Sequence, residues 1–392
     1  MNILIDINPL KQKNLSGVGK YLQEVLSRLL ILDKDNQYFL FSYGRKNKDL
    51  AINLPAGQNI HYIHRQIPSK LILILSFFGL FKLDVFKSDG KIIKADLVWL
   101  PNLGIANLKF KETRLITTIH DLSFQIYPQF FNFKRRLWHF LIRPKRIIKR
   151  SDRLIAVSQN TALDLQNVYQ VPQNKIMVMN LGVDQKYQIL ERSELEIVKS
   201  KYNLKRDFIL FLGTKEPRKN ILSLLKAFKK FQFSDLELLI VGGRGWKEKR
   251  WRAFYEDLEE NIKSRIKIID YIQEEDLPAL YNLAKIFVWP SFYEGFGLPV
   301  LEALACACPV ITANNSSLPS VVKDRALLIE AFNVNNLFLA TYSLLKNKEL
   351  YNFYKNSPRF AGEAGKKFDQ NYYSNWDKSA EKLLKLFYKL KV

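Results

Sequence analysis

The chain has 392 residues, 47% of them hydrophobic, and its 61 Lys and Arg against 38 Asp and Glu leave a formal charge of +23. A single core rarely grows beyond about 250 residues, so two domains are expected; the 14 Pro and 16 Gly are scattered as punctuation, without repeats or low-complexity tracts, which argues against disorder. The cationic excess suits phosphates, nucleic acid or an anionic bilayer and does not choose among them.

In chain order, Met-Asn-Ile-Leu-Ile-Asp has no basic leader and carries an acid at Asp6, so Asn2 to Ile7 reads as an opening strand and export is not expected. Asn14-Leu-Ser-Gly-Val-Gly-Lys20 fails as a phosphate-binding P-loop, because Asn14 stands where glycine is required and Tyr21 where Ser or Thr would hold magnesium. After a strand at Tyr38 to Ser42 comes the longest apolar run, Leu71 to Phe81, too short for the roughly 20 residues of a membrane span. A buried core helix is expected there, with a surface that dips into lipid or touches a lipid-linked acceptor as the alternative. Strands follow at Leu97 to Leu100 and Leu115 to Ile119, the second ending in His120-Asp121, a polar pair at a strand's carboxyl end. Asp121 could equally cap the next turn. Between Lys134 and Arg150 lie eight Lys or Arg, no acids, and interspersed Leu, Trp, Phe and Ile. This basic amphipathic segment fits an anionic membrane or an acceptor, and a solvated basic helix face fits it as well; no recognised nucleic-acid motif accompanies it. A strand at Arg153 to Val157 precedes Ser158 and Thr161, which suit helix capping, and Asn180 to Asp184, which suits a tight turn.

Gly182 to Arg206 is the most weakly patterned stretch and the natural connection. The expected domains are 1–186 and 187–374; the tail from Gln370 onward alternates aromatic and basic residues in a helical pattern that fits either domain, with its helix at about 375–392 able to pack back onto the first. In the second half, continuous apolar strands at Phe208 to Leu212, Glu237 to Val241, Ile266 to Ile269, Ile286 to Trp289 and Pro309 to Thr312 alternate with helices such as Ile221 to Phe231 and Glu274 to Ala284. Such runs suit parallel strands covered on both faces, so the fold class is α/β with two doubly wound units.

Three loops follow those strands. Gly213-Thr-Lys-Glu-Pro-Arg-Lys-Asn220 puts Arg218 and Lys219 at the carboxyl edge of a sheet, where two cations can neutralise a diphosphate. Val241-Gly-Gly-Arg-Gly245 lacks a full GxGxxG, so NAD binding is not expected. Trp289-Pro-Ser-Phe-Tyr-Glu-Gly-Phe-Gly-Leu-Pro-Val-Leu-Glu302 leads from a strand through two glycines into a helix whose first amides form an anion site. Its carboxylates, Glu294 and Glu302, could flank one anion at different depths. Cys306 and Cys308, one residue apart in an apolar run, suit neither a disulfide nor a zinc site and favour a reduced, cytoplasmic setting.

The last of these loops resembles the signature of the GT-B retaining glycosyltransferases of family 4, also called glycosyl transferases group 1, whose two glutamates are separated by seven residues as Glu294 and Glu302 are. The resemblance implies two Rossmann-like domains facing a central cleft and a hexosyltransferase that carries a sugar from a nucleotide diphosphate donor, with GDP-mannose ahead of UDP-sugars. It implies that Glu294 binds donor-sugar hydroxyls, that Glu302 binds the ribose, and that Gly295, Phe296, Gly297 and Leu298 offer backbone groups to sugar and phosphates. Arg218 and Lys219 would hold the diphosphate, Gly213 and Gly242 would line the donor, Tyr271 and Ile272 would meet the base, and Gly17 and Gly19 would face the phosphates. His120 would contact the sugar near its reacting carbon. No cofactor or metal is expected, since Arg218, Lys219 and helix amides would carry the charge and no His/Asp cluster has metal-ligand spacing. The acceptor implied is a polysaccharide or lipid-linked oligosaccharide at the inner face of the membrane, with peripheral contact through 134–150 and no nucleic acid. A basic nucleic-acid or membrane binder on an α/β scaffold, and an epimerase of the same fold, are the competing classes. Glu294→Ala is expected to abolish transfer and largely spare the fold.

Overall fold

The computed structural model describes residues 1–12, 14–44, 54–88, 90–105, 107–355 and 375–391. These fall into two compact units, one drawn from Met1–Ile126, Phe133–Gly182 and Ser374–Val392, the other from Tyr127–Asn132 and Val183–Tyr373. Residues 374 and 392, which end two of the expected segments, and the stretch 370–373 of the expected tail lie outside the described residues.

The first unit is built on a seven-stranded parallel sheet. Its strands are β1 (Asn2–Asp6), β2 (Gln37–Tyr43), β3 (Ile60–Arg65), β6 (Leu97–Leu100), β7 (Arg114–Ile119), β8 (Arg153–Ala156) and β9 (Ile176–Val178), in the order β3-β2-β1-β6-β7-β8-β9. A separate antiparallel hairpin joins β4 (Val85–Ser88) to β5 (Lys91–Lys94). Helices α1 (Gly17–Leu32), α2 (Ser69–Phe77), α3 (Ser123–Ile126), α4 (Phe133–Ile142), α5 (Pro144–Arg150) and α6 (Gln159–Tyr169) complete the crossovers. The central strands read as unbroken apolar runs because both faces are covered; all four residues of β6 are buried. The C-terminal helix, Trp376–Lys389, lies against α1, with Trp376 near Tyr21, Phe387 near Trp99, and Arg28 donating to Asp377 at 2.7 Å.

The second unit repeats the scheme with β10 (Asp207–Leu212), β11 (Leu236–Val241), β12 (Ile266–Ile269), β13 (Ile286–Trp289), β14 (Val310–Ala313) and β15 (Ala326–Ile329), ordered β12-β11-β10-β13-β14-β15 and all parallel. Its helices are α7 (Arg192–Lys201), α8 (Ile221–Phe228), α9 (Lys249–Glu256), α10 (Glu260–Lys263), α11 (Leu277–Leu283), α12 (Leu298–Ala305), α13 (Leu318–Val322), α14 (Val334–Lys346) and α15 (Lys348–Lys355). In each sheet the chain starts in the middle, winds one way and then the other, so the order reverses between β1 and β6 and between β10 and β13. Crevices for ligands open beyond the carboxyl ends of strands at such reversals.

Three expected elements differ, the first being the helix expected over Ile221 to Phe231, which ends at Phe228. The helix foreseen over Glu274 to Ala284 starts later, because Pro278 suits a first helical turn and a short 3-10 turn, Glu274–Asp276, precedes it. The apolar run Leu71 to Phe81 is not a buried core helix. Of α2 only Ile72 is fully buried, and Leu71, Ile74, Phe78 and Leu80 are exposed.

Candidate active site

In the second unit the carboxyl ends of β10 and β13 lie side by side, with Ile209 and Leu210 registered against Ile286 and Phe287. The chain leaving β10 enters the Gly213–Asn220 loop, and the chain leaving β13 enters the 290–297 loop. The sheet reversal therefore delivers Arg218, Lys219 and Glu294 to one place. Lys219 Nζ donates to Glu294 Oε1 at 2.6 Å, and Arg218 Nη1 donates to Glu294 Oε2 at 3.0 Å and to the Tyr293 carbonyl at 2.7 Å. Arg218 Nη2 donates to Glu216 at 2.7 Å, so two cations and two anions make one neutral cluster. Glu216, Lys219 and Glu294 are buried. Lys219 also lies over the Trp289 ring, 4.4 Å from its centroid.

Burial alone would push the Glu294 carboxyl upward, but Arg218 and Lys219 outweigh it and hold the group down at about 2. The Lys219 ammonium moves down from its ordinary value, first because it is desolvated and next because Arg218 repels it. The cluster thus holds a charged carboxylate between two cations, one of which, Lys219, burial pushes toward its neutral form.

The helix that follows adds to this. Gly297 caps α12 at φ 109°, a conformation that favours glycine, and a Cβ there would stand 2.9 Å from Leu318. Pro299 sits in the first turn, so the amides of Leu298 and its neighbours lie at a positive helix end. The loop is clamped from behind: Glu294 N–H donates to Ser316 Oγ at 2.9 Å, and Ser317 Oγ donates to the carbonyls of Glu294 and Phe296 at 2.9 and 2.8 Å. Gly295 and Phe296 are buried within it. Glu302, on the inner face of α12, accepts from Tyr281 Oη at 2.9 Å, and Tyr187, also buried, has its hydroxyl driven upward by desolvation and by that same carboxylate.

Gly213 and Gly242 meet backbone to backbone. Gly242 has φ 144° and a Cβ there would stand 2.0 Å from the Gly213 carbonyl, so the loop after β11 tolerates no side chain at that point. Lys215, wholly buried, ties the same two loops by donating to the Gly242 carbonyl and, at 2.6 Å, to Asp270. Beyond Asp270, Tyr271 is exposed and Ile272 buried.

The residues expected in the first unit form their own cluster. His120 Nε2 donates to the Pro101 carbonyl at 2.8 Å and the ring meets Tyr21 edge-on at 5.0 Å. Tyr21 Oη and Thr118 Oγ1 lie 3.1 Å apart, and Trp99 Nε1 donates to the same threonine at 3.1 Å. Burial lowers the His120 pKa, so the ring is neutral near pH 7, with its proton on Nε2 and Nδ1 left as an acceptor. Asp121 Oδ1 accepts from Ser123 N–H at 2.9 Å and from its hydroxyl at 2.6 Å, a local cap. Ser158 caps α6 by accepting from Thr161 N–H at 3.1 Å. Gly17 opens α1, whose cap Ser16 accepts from Gly19 N–H at 3.4 Å.

Sequence reasoning passed over Lys215, Glu216, Tyr187, Tyr281 and the Ser316–Ser317 clamp. Glu216 and Lys215 lie inside the Gly213–Asn220 motif; the serines and tyrosines reach their partners only through the sheet's winding and leave no local pattern. Among the described residues no group of three or more His, Cys, Asp or Glu is arranged to hold a metal ion, and no helix is long and apolar enough to cross a membrane.

A family model described as Glycosyl transferases group 1 matches residues 193–360, and one described as Glycosyltransferase Family 4 matches residues 15–187. The O-antigen chain mannosyltransferase B of Escherichia coli is 28% identical over 348 residues, 86% of this chain and 88% of that one. The serotype-specific mannosyltransferase WbdA of Escherichia coli is 28% identical over 245 residues, 61% of this chain but 30% of that one, so the chain spans less than a third of that relative's length. The sucrose-phosphate synthase of Thermosynechococcus elongatus has a similar structure, with a TM-score of 0.72 and 18% identity over 100% of this chain and 99% of that one.

Proposed function

Since the chain belongs to the glycosyl transferases group 1 and has the GT-B fold, we propose that it transfers mannose from GDP-mannose, with retention of configuration, to a hydroxyl of a polysaccharide or lipid-linked oligosaccharide. That it is a glycosyltransferase of the hexosyltransferase class follows from the family and from relatives named as mannosyltransferases. The choice of mannose is supported by relatives that are mannosyltransferases, and UDP-sugars are the next donors to try.

The observation that carries the proposal is the Glu216–Arg218–Lys219–Glu294 cluster at the β10/β13 reversal, beside the amino end of α12. Of its three N–H donors, the Lys219 ammonium spends one on Glu294. In this reading Arg218, Lys219 and the α12 amides take the donor diphosphate, and Glu294 turns its oxygens to hydroxyls of the sugar. As the bond between the anomeric carbon and the phosphate oxygen breaks, charge grows on the diphosphate, and the two cations stabilise it more than they stabilise the intact donor. The acceptor oxygen bonds to the same face of that carbon while its proton passes to the departing phosphate. No protein nucleophile is required, and the protein cations do the work a metal would otherwise do.

Glu302, steadied by Tyr281, is assigned to the ribose. Gly213, Gly242, Gly295, Phe296, Gly297 and Leu298 are assigned to backbone contact with the donor, and Tyr271 with Ile272 to the base. For the first unit, His120 is assigned to the sugar and Gly17 and Gly19 to the phosphates. The two buried thiols and the family's substrates support a cytoplasmic setting. Differential scanning fluorimetry against GDP-mannose, UDP-glucose and UDP-GlcNAc tests the donor. GDP-mannose should raise the melting temperature most; a larger shift with either UDP-sugar would reassign it.

A further inference from the structure

The first sheet reverses between β1 and β6, where Ile5 is registered against Trp99, and the last residue of β1 is an acid, Asp6. Its side chain, 9% exposed, lies at the carboxyl edge of the sheet, where such reversals open crevices. One carboxylate oxygen is used locally. Oδ1 accepts from the Asn8 N–H at 3.0 Å and from Asn8 Nδ2 at 2.5 Å, which turns the chain into the short 3-10 helix Asn8–Lys11. The other oxygen, Oδ2, has no hydrogen-bond partner among the described residues, and no cation there pairs with the group. Lys11, on the same turn, donates to the Tyr43 carbonyl at 3.1 Å.

Burial raises the Asp6 pKa, and the two Asn8 contacts only partly offset it. An unpaired carboxylate at this depth is unfavourable to the fold. The local turn does not account for the charge, because the side-chain oxygen of an asparagine would accept the same two contacts at a smaller desolvation cost.

Oδ2 faces the loop that leaves β6. In that loop a Cβ on Gly104 would stand 3.5 Å from Oδ2 and 3.8 Å from the Asn102 carbonyl, both ordinary contacts, so the glycine leaves open a face of the oxygen that a side chain would cover. His120, just past β7, holds the same loop by donating to the Pro101 carbonyl at 2.8 Å. Asp6, the 101–104 stretch and His120 therefore follow one another along three neighbouring strand ends, those of β1, β6 and β7. A zinc or calcium ion needs several protein ligands together, and among the described residues no group of three or more His, Cys, Asp or Glu is so arranged. A hydroxyl needs only the lone pair that Oδ2 offers, and a charged acceptor makes that hydrogen bond one of the stronger kind.

We propose that Asp6 is a substrate-binding residue of the first unit, whose Oδ2 accepts a hydrogen bond from a hydroxyl of the acceptor sugar as that sugar enters over Gly104. This rests on the glycosyltransfer reading given above.

The test titrates the full chain with methyl α-D-mannoside, methyl α-D-glucoside and methyl N-acetyl-β-D-glucosaminide, read by saturation-transfer NMR. At least one of these probes should bind the wild type saturably. Asp6→Asn should weaken that binding roughly tenfold, the loss expected for one hydrogen bond to a charged group. It should also melt no lower than the wild type, since it removes an unpaired buried charge and keeps an oxygen for Asn8. Gly104→Ala, which retains the carboxylate and only covers it, should weaken the same binding. A purely structural Asp6 gives the opposite pattern: Asp6→Asn melts lower and binds the glycosides as the wild type does. Donor binding, read as the thermal shift with GDP-mannose, UDP-glucose and UDP-GlcNAc, should be equal in all three proteins. No shift with any donor in the wild type would overturn the transfer reading and this proposal with it. Donor binding accompanied by equal glycoside affinity in the three proteins, or by no glycoside binding to the wild type, would overturn the assignment of Asp6 alone.

Discussion

At the scale of single residues, the account turns on Glu294. The sequence marks it as a loop acid ahead of a helix; what it cannot disclose is that the carboxylate is buried against Arg218 and Lys219. That contact changes the expectation for Glu294→Ala. Deleting the acid leaves the buried Lys219 without its carboxylate and beside Arg218, which keeps Glu216, and breaking a buried pair from one side costs about 3 kcal/mol. We therefore expect Glu294→Ala to lower the melting temperature as well as abolish transfer. Glu294→Gln, which keeps the shape and one acceptor oxygen, should fold more stably than the alanine variant and still lose roughly 100-fold to 1000-fold in kcat. A glutamine variant with full activity would remove the residue from the mechanism.

The same contact sets a pH dependence. The carboxyl is held at about 2 in the folded chain against an ordinary value of 4.5. Its folded pKa is depressed, so its contribution to stability is present above 4.5 and fades as the pH falls from there toward 2. Melting temperature measured across that window should drop more steeply for the wild type than for Glu294→Gln. His120 shifts in the same direction, through burial, and stays neutral at pH 7.

At the scale of elements, loops that start at neighbouring strand ends make the site. The strands were legible because continuous apolar runs such as Ile286 to Trp289 belong to sheets covered on both faces. The strands that sequence reasoning missed are β3, β4, β5, β9 and β15. Four are only three or four residues long, and β3 carries two His and an Arg and lies, like β9 and β15, at a sheet edge. The glycines divide in a way no motif could show. Gly297 caps α12 beside the candidate donor site, whereas Gly242 has a packing reason of its own, its close approach to Gly213. Gly242→Ala should therefore unsettle the whole second unit. A destabilisation of roughly 3 kcal/mol corresponds to about 10 °C in a unit of this size; a thermal melt within 2 °C of wild type, to about the error of such a scan, would contradict the close packing. The run Leu71 to Phe81 misled for a related reason, since hydrophobicity alone does not separate a core helix from one that faces something else.

At the scale of the whole molecule, the net charge of +23 is not spread without pattern. In the second unit, cations at the sheet reversal are neutralised by Glu216 and Glu294, and to these we assign the donor diphosphate. In the first, acid-free stretches gather cations around exposed aromatic side chains. The sequence contained the composition of both and the geometry of neither. Because protein cations are assigned to the leaving group, transfer should continue in excess EDTA; complete loss of activity restored by manganese would show that a metal shares that task.

The most direct test of the central claim is a calorimetric titration of GDP-mannose into the wild type and into Arg218→Ala and Lys219→Ala variants, with EDTA present. The account predicts saturable binding to the wild type, weakened at least about tenfold in each variant, as expected for loss of one charge-assisted contact. Absence of binding by any nucleotide sugar, or equal affinity in all three proteins, would contradict it.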